Sequence, residues 1–126
     1  DDLSPGDVRR VLGPMAIVGC STHTDAQIGR AMEEPVSYVA IGPVFDTSTK
    51  DTGYSEVGLG QVRRASQAAA SRQLPIVAIG GITLARAPAV LREGAQAVAV
   101  IGDLLTGGDP ARRVGEFLDV LESARR

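Results

Sequence analysis

Four apolar segments without alternating polar positions recur along the chain, and a glycine ends or follows each one. They are MAIVG at 15–19, YVAI at 38–41, IVAI at 76–79 and AVAVI at 97–101. Continuous apolarity over so few residues is typical of strands that are covered on both faces, as in a parallel sheet. Apolar residues recur at helical spacing between these segments, so the pattern predicts an initial helix followed by four βα units.

Capping residues set the predicted helix boundaries. Ser4 and Pro5 are typical of a helix start, and Thr24 with Gln27 has the spacing of a capping box. Gly13 ends the first helix. The predicted helices after the second, third and fourth strands run from Gly58 to about Ser71, from Leu84 to Glu93 and from Asp109-Pro110 onward, with a short helical turn at Asp103–Leu105.

The number of strands indicates an incomplete barrel. A (β/α)8 barrel has eight strands and about 250 residues, whereas a doubly wound sheet has five or six strands. Glycines at the strand ends favour the barrel, because its strand C-termini meet at one face where glycine backbone can approach a ligand. The sequence therefore predicts an α/β fold made of the parallel βα units of a TIM-type barrel, as a single partial domain over residues 1–126.

Composition and charge exclude some classes of partner and indicate a compartment. The chain is 44 % hydrophobic with a net charge of −2 and no block of basic residues, so we expect no nucleic-acid or membrane partner. The single Cys20 cannot form an internal disulfide, which suits a cytoplasmic protein. Because the chain starts at Asp1 rather than Met, we expect a processed product or a fragment.

A loop rich in hydroxyl groups follows the second predicted strand. Thr47, Ser48, Thr49 and Lys50 place three hydroxyls and one ammonium in succession. Phosphate oxygens need several donors and a compensating charge, which this loop could supply. Taken alone, the loop is about equally well interpreted as an ordinary polar surface loop.

Other strand ends favour the phosphate interpretation. In a parallel barrel Ser21, Gly80-Gly81 and Ile101-Gly102 reach the same rim as the hydroxyl loop. Backbone N–H groups of glycines, together with a short helix N-terminus, commonly hold a phosphate at this rim. A glycine phosphate site beside a separate hydroxyl loop predicts two phosphorylated groups close together. His23 is interpreted as a local hydrogen-bonding residue.

Four motifs in this order resemble thiamine phosphate synthase. They are GCSTHT at 19–24, AIGPVFDTSTKDTGYSEVGL at 40–59, PIVAIGGIT at 75–83 and GAQAVAVIG at 94–102, and together they cover essentially the whole chain. The resemblance implies a (β/α)8 barrel transferase of thiamine biosynthesis. Such enzymes join a pyrimidine diphosphate to a thiazole phosphate with the help of Mg²⁺ and release pyrophosphate.

The resemblance also implies a role for each motif residue. Ser21 and Lys50 would be catalytic and contact the pyrimidine diphosphate, with Lys50 stabilising the leaving pyrophosphate. The thiazole phosphate would be held by hydroxyls and backbone N–H groups of Thr47, Ser48, Thr49, Gly81, Ile101 and Gly102. Gly102 stands where the family often has Ser, so one hydroxyl contact is missing.

Asp2 resembles the second metal carboxylate of the family. The family's first half carries the basic motif for the diphosphate and the first Mg²⁺ ligand, and no counterpart occurs in this sequence. The chain is therefore interpreted as the C-terminal half of such an enzyme, with about four strands. Alone it is expected to be inactive and either to self-associate or to pair with an N-terminal half.

Two alternatives remain open. The first is a related thiazole tautomerase, a family that has the motif G-H-x-F after the second predicted strand, with the His transferring a proton. Pro43 occupies the position of that His here, and His23 would be a displaced candidate for the proton transfer. The second alternative is a non-catalytic half-barrel that binds phosphate esters and self-associates.

Overall fold

The computed structural model describes residues 2–47 and 53–126. Within them, five helices alternate with four short strands and a 3₁₀ turn. In chain order the elements are α1 Pro5–Leu12, β1 Gly19–Thr22, α2 Asp25–Ala31, β2 Tyr38–Ile41, α3 Gly58–Ala70, β3 Ile76–Ile79, α4 Ala87–Arg92, β4 Ala97–Ala99, the turn Gly102–Leu105 and α5 Pro110–Arg125. None of the helices described is long and apolar enough to cross a membrane.

The strands form one parallel sheet in the order β1-β2-β3-β4. Gly19 pairs with Tyr38, Val39 with Ile76, and Val77 with Ala97. Each strand lies beside the next one along the chain, so the connecting helices make consecutive βα units. The predicted α/β class with parallel TIM-type units is confirmed. In this arrangement all strand C-termini reach one edge of the sheet.

The core lies on one face of the sheet. Val39 and Ile41 of β2 and Ile76 of β3 are fully buried, and they cluster with Val62 of α3 and Val90 of α4. The alternate positions of the same strands are half-buried, and Ile79 is 39 % exposed. We expected both faces of the sheet to be covered. Among the residues described, only the face that packs against the helices is covered.

The prediction of the first strand at Met15–Gly19 was wrong. The strand is Gly19–Thr22, and Met15 and Ile17 are 92 % and 83 % exposed. Ladder pairing starts only where β2 starts, opposite Gly19, while the Ala16 carbonyl accepts a hydrogen bond from Arg9. As a result Ser21 lies within β1 and not beyond its end.

Two other boundaries differ from the prediction. β4 ends at Ala99 and not at Ile101, because its partner β3 ends opposite Ala99. α4 starts at Ala87 and not at Leu84, whose N–H donates instead to a carboxylate oxygen of Asp103 at 2.9 Å. The predicted capping box at Thr24 and the bounds of β2 and β3 are confirmed.

A single arginine ties α1 to the segments that enter the sheet. The half-buried Arg9 donates to the Pro35 carbonyl at 3.0 and 3.1 Å, to the Ser37 hydroxyl at 3.1 Å and to the Ala16 carbonyl. Arg10, its neighbour, is 79 % exposed and pairs with Asp7 within the helix. The two arginines therefore differ in what their removal disrupts.

We expect Arg9→Met to lower the free energy of unfolding in urea by about 1.5–3 kcal/mol, because several hydrogen bonds to a charged donor are lost. Arg10→Met is the matched control, and its effect should stay within about 0.5 kcal/mol, as for an exposed ion pair. Equal losses for the two variants would contradict this account of α1.

Candidate functional site

A cleft of about 570 Å³ lies at the C-terminal ends of the strands. Each of the four strands, or the loop that follows it, contributes to the lining. The lining residues lie at 21 and 23, within 42–47, within 79–86, and at 99–103 and 106. Because a parallel sheet brings all its strand C-termini to one edge, loops distant in sequence meet here. The cleft is the place where the sequence predicted a ligand.

Glycines form the wall between β2 and β3. Gly80 and Gly81 have φ angles of 103° and 60°, so both need the left-handed freedom of glycine. A Cβ on Gly80 would lie 2.5 Å from the Pro43 Cα, and one on Gly81 would lie 2.8 Å from the Phe45 Cβ. The two loops therefore touch backbone to backbone, with no room for a side chain between them.

Hydrogen bonds join the same two loops. The N–H of Val44 donates to the Ile79 carbonyl at 2.9 Å, and that of Phe45 donates to the Gly80 carbonyl at 3.1 Å. The pairing of β2 with β3 thus continues past both strand ends. Within the described chain, the N–H groups of Gly81 and Gly102 have no hydrogen-bond acceptor. Both glycines line the cleft, where a bound anion can accept from them.

The turn after β4 is held in place by Asp103. Its carboxylate accepts the Leu84 N–H at 2.9 Å and pairs with Arg113 at 2.8 Å, and the two side chains are only 12 % and 22 % exposed. Glu116 and Asp103 together raise the pKa of the Arg113 guanidinium through their hydrogen bonds. Because Arg113 offsets its charge, Asp103 opposes an anion in the cleft less than a free carboxylate would.

His23 joins the β1 end to the β2 loop. Its Nδ1 lies 2.5 Å from the Gly42 carbonyl, which can only accept, so Nδ1 carries the proton. The imidazole stacks on Tyr54 with ring centroids 3.8 Å apart and an interplanar angle of 11°. The Gln27 amide oxygen also accepts the His23 N–H at 2.7 Å. The prediction that His23 makes local hydrogen bonds is confirmed, and its place in the cleft wall was not predicted.

The structure brings several of the predicted site residues together. The cleft is lined by Ser21, Thr47, Gly81, Ile101 and Gly102. Ser48, Thr49 and Lys50 lie outside the described residues. Arg86 and Asp46 also line the cleft and were not predicted. Arg86 lies outside the four motifs, and Asp46, although inside the second, is neither a glycine nor a hydroxyl residue.

Asp2, the predicted metal carboxylate, lies apart from this group. It is exposed in the segment before α1 and is absent from the cleft lining. In residues 2–47 and 53–126, no three His, Cys, Asp or Glu side chains are grouped so as to hold a metal ion. Mg²⁺ prefers octahedral oxygen coordination, so the described residues alone do not fit it. The role of Asp2 stays a prediction.

Fold and cleft define the class of protein. Four parallel βα units with a glycine-walled cleft at their C-terminal edge are characteristic of TIM-type barrel proteins that bind phosphorylated ligands. Residues 1–104 match the family model described as thiamine monophosphate synthase. The match covers most of the chain, which therefore belongs to this family, as the motif resemblance indicated.

Relatives of known name agree with the family. The chain is 45 % identical over 123 residues to a thiamine-phosphate synthase of Koribacter versatilis, covering 98 % of this chain and 56 % of the relative. It is 41 % identical to one from Synechococcus over 96 % of this chain and 33 % of the relative. The chain thus spans about half the length of these relatives, or less.

Solved structures agree with the fold. A thiamine phosphate pyrophosphorylase from Pyrococcus furiosus matches with a TM-score of 0.84 and 26 % identity, covering 98 % of this chain and 57 % of that one. A 3-hexulose-6-phosphate synthase matches with a TM-score of 0.64 and 19 % identity, which shows a likeness of fold alone.

Replacing Gly81 tests the glycine wall. We expect Gly81→Ala to lower the free energy of unfolding by about 1–3 kcal/mol more than Gly107→Ala, because its Cβ has to displace the Asp46 carbonyl oxygen and Phe45. Gly107 is a matched control, since its φ of 85° imposes a similar backbone strain but its Cβ would meet nothing within 4 Å. Urea unfolding of both variants measures the difference, and equal destabilisation would mean that the two loops are not closely packed.

Proposed function

We propose that this chain forms the phosphate-binding part of a thiamine phosphate synthase. The reaction joins 4-amino-2-methyl-5-(diphosphomethyl)pyrimidine to thiazole phosphate and releases pyrophosphate. One observation carries the proposal: in a chain of this family, predicted site residues from β1 and from the loops after β2, β3 and β4 line one cleft. The proposal assigns the two phosphorylated substrates to different parts of that cleft.

The thiazole phosphate is assigned to the glycine wall. The N–H groups of Gly81 and Gly102 lack an acceptor among the described residues, and both glycines line the cleft together with Thr47 and Ile101. Phosphate oxygens accept several hydrogen bonds at once, and fixed backbone donors suit them without any change in the protein. Ser48 and Thr49 are proposed to add hydroxyl donors from the same loop as Thr47.

The pyrimidine diphosphate is assigned to Ser21 and Lys50. Ser21 lines the cleft from β1, at the side of the sheet away from β4. Lys50 is the single lysine of the sequence. As the pyrophosphate leaves, negative charge grows on its oxygens, and an ammonium group near them lowers the barrier. Ser21 would hold the diphosphate by a hydrogen bond from its hydroxyl.

Mg²⁺ remains part of the proposal only in outline. When bound, the ion would offset charge on the diphosphate. Asp2 would be one ligand, but the described residues do not complete a site for the ion. No step assigned to Ser21, Lys50 or the glycines depends on it.

Catalysis is proposed to need the part of the barrel that this chain does not cover. The chain spans 56 % of the Koribacter versatilis relative, and the sheet face away from the helices is incompletely buried, with Ile79 39 % exposed. Strands from an N-terminal half, in the same chain or another, would cover this face. Two copies of the chain would supply the same number of strands and are the alternative occupant. The compartment we propose is the cytoplasm, on the ground of the single cysteine.

A fusion protein tests the proposal. The first half of the Koribacter versatilis relative is joined ahead of residue 1, and formation of thiamine phosphate and pyrophosphate is followed by steady-state kinetics. We expect the fusion to be active and the chain alone to be inactive. Lys50→Ala should lower kcat by about a hundredfold, which corresponds to roughly 2.7 kcal/mol. Lys50→Arg is the matched control that keeps the charge, and it should retain more activity than Lys50→Ala.

Other results would favour the alternatives. A folded fusion that binds phosphate but transfers nothing, together with a stable dimer of the chain alone, would support the non-catalytic half-barrel. Lys50→Ala with activity within about threefold of the parent would remove Lys50 from the diphosphate site. The tautomerase activity is not proposed, because Pro43 lines the cleft at the position where thiazole tautomerases have a proton-transferring His.

A further inference from the structure

Arg86 places a guanidinium group in the wall of the cleft. It follows β3 by seven residues and lies at the start of α4. Its Nη1 donates to the Gly81 carbonyl at 2.9 Å, and its guanidinium carbon lies 4.6 Å from the centre of the Phe45 ring. The side chain is thus fixed by both loops of the glycine wall.

These contacts leave most of the guanidinium available to a ligand. Stacking on Phe45 uses the face of the planar group, and the Gly81 carbonyl takes one of its five N–H donors. In the described stretches 2–47 and 53–126, no carboxylate forms an ion pair with Arg86. Arg63 differs, because it makes two hydrogen bonds to Glu93 at 2.5 and 2.9 Å.

The charged residues that line the cleft indicate what the Arg86 guanidinium does there. Of the described lining residues, Arg86 is the only arginine or lysine, and Asp46 and Asp103 are the carboxylates. Asp103 is paired with Arg113, whereas Asp46 forms no ion pair within the described part of the chain. A doubly charged phosphate at the glycine wall would be repelled by Asp46, and Arg86 is placed to offset that repulsion.

We propose that Arg86 binds the phosphate of the phosphomonoester substrate, beside the N–H groups of Gly81 and Gly102. This inference rests on the proposed function, and it adds a charged, forked donor to a site otherwise made of backbone and hydroxyl groups. A guanidinium already held by Phe45 and Gly81 loses little conformational freedom when it binds phosphate, which favours affinity.

Phosphate binding by variants of the chain tests the proposal. Inorganic phosphate is titrated by calorimetry at pH 8 and low salt, with every protein at the same concentration. We expect Arg86→Gln to raise the dissociation constant at least tenfold, since a charged hydrogen-bond donor is lost. Arg86→Lys keeps the charge without the fork and should raise it by about threefold. The control Arg92→Gln changes an exposed arginine at the other end of α4 and should leave the constant within twofold.

A second measurement needs no variant. In the unaltered chain, phosphate should shift the NMR signal of the Arg86 Nε–H group along the same binding curve as the Gly81 amide. If Arg86→Gln binds phosphate as tightly as the parent, or the Nε–H signal stays unchanged, the role of Arg86 is overturned while the glycine site stands. If the parent binds no phosphate at all, both this inference and the phosphate site of the proposed function are overturned.

Discussion

The close approach of the loops after β2 and β3 is the contact on which the cleft depends. Gly80 and Gly81 have positive φ angles and lie against Pro43 and Phe45 with no space for a Cβ. Hydrogen bonds from Val44 and Phe45 extend the strand pairing into the loops. The same backbone geometry that closes this contact leaves the Gly81 N–H without an acceptor among the described residues. The loop contact that packs Gly81 against the β2 loop therefore also leaves a backbone donor available to an anion.

A small number of charged residues determine whether the cleft beside this contact can attract an anion. The chain as a whole carries a net charge of −2, so no general positive potential draws anions to it. Two local arrangements offset this: Arg113 neutralises Asp103 at the turn after β4, and Arg86 is held over Phe45 beside Gly81. Main-chain donors, which carry no net charge, are proposed to provide the remaining attraction for phosphate. This division explains how an acidic chain can present an anion site.

Local signals in the sequence were sufficient for much of the fold. β2 and β3 were predicted at their observed bounds because each is a short apolar run that ends in glycine, and the Thr24 capping box depends only on neighbouring residues. The first strand was misplaced because strand limits depend on the partner, and pairing with β2 begins only at Gly19. Half of the hydrophobic run before it is exposed instead.

The candidate site divides in the same way. Gly81 and Gly102 could be singled out because each follows a short apolar run of the sequence, where glycine backbone can approach a ligand. Arg86 could not, because its interest depends on Phe45 and on the absence of a carboxylate partner within the described chain, and both are tertiary facts. The place of His23 in the cleft wall is likewise set by the Gly42 carbonyl and the Tyr54 ring, which are distant in sequence.

The most direct measurement of the central claim is an NMR map of backbone amide shifts during titration with inorganic phosphate. If phosphate binds between the glycine wall and the turn after β4, the amides of Gly81 and Gly102 shift most and share one dissociation constant. Gly13, which also has a positive φ but ends α1 away from the cleft, should not shift. Small shifts spread evenly over the chain, or the largest shifts outside the cleft, would contradict the claim.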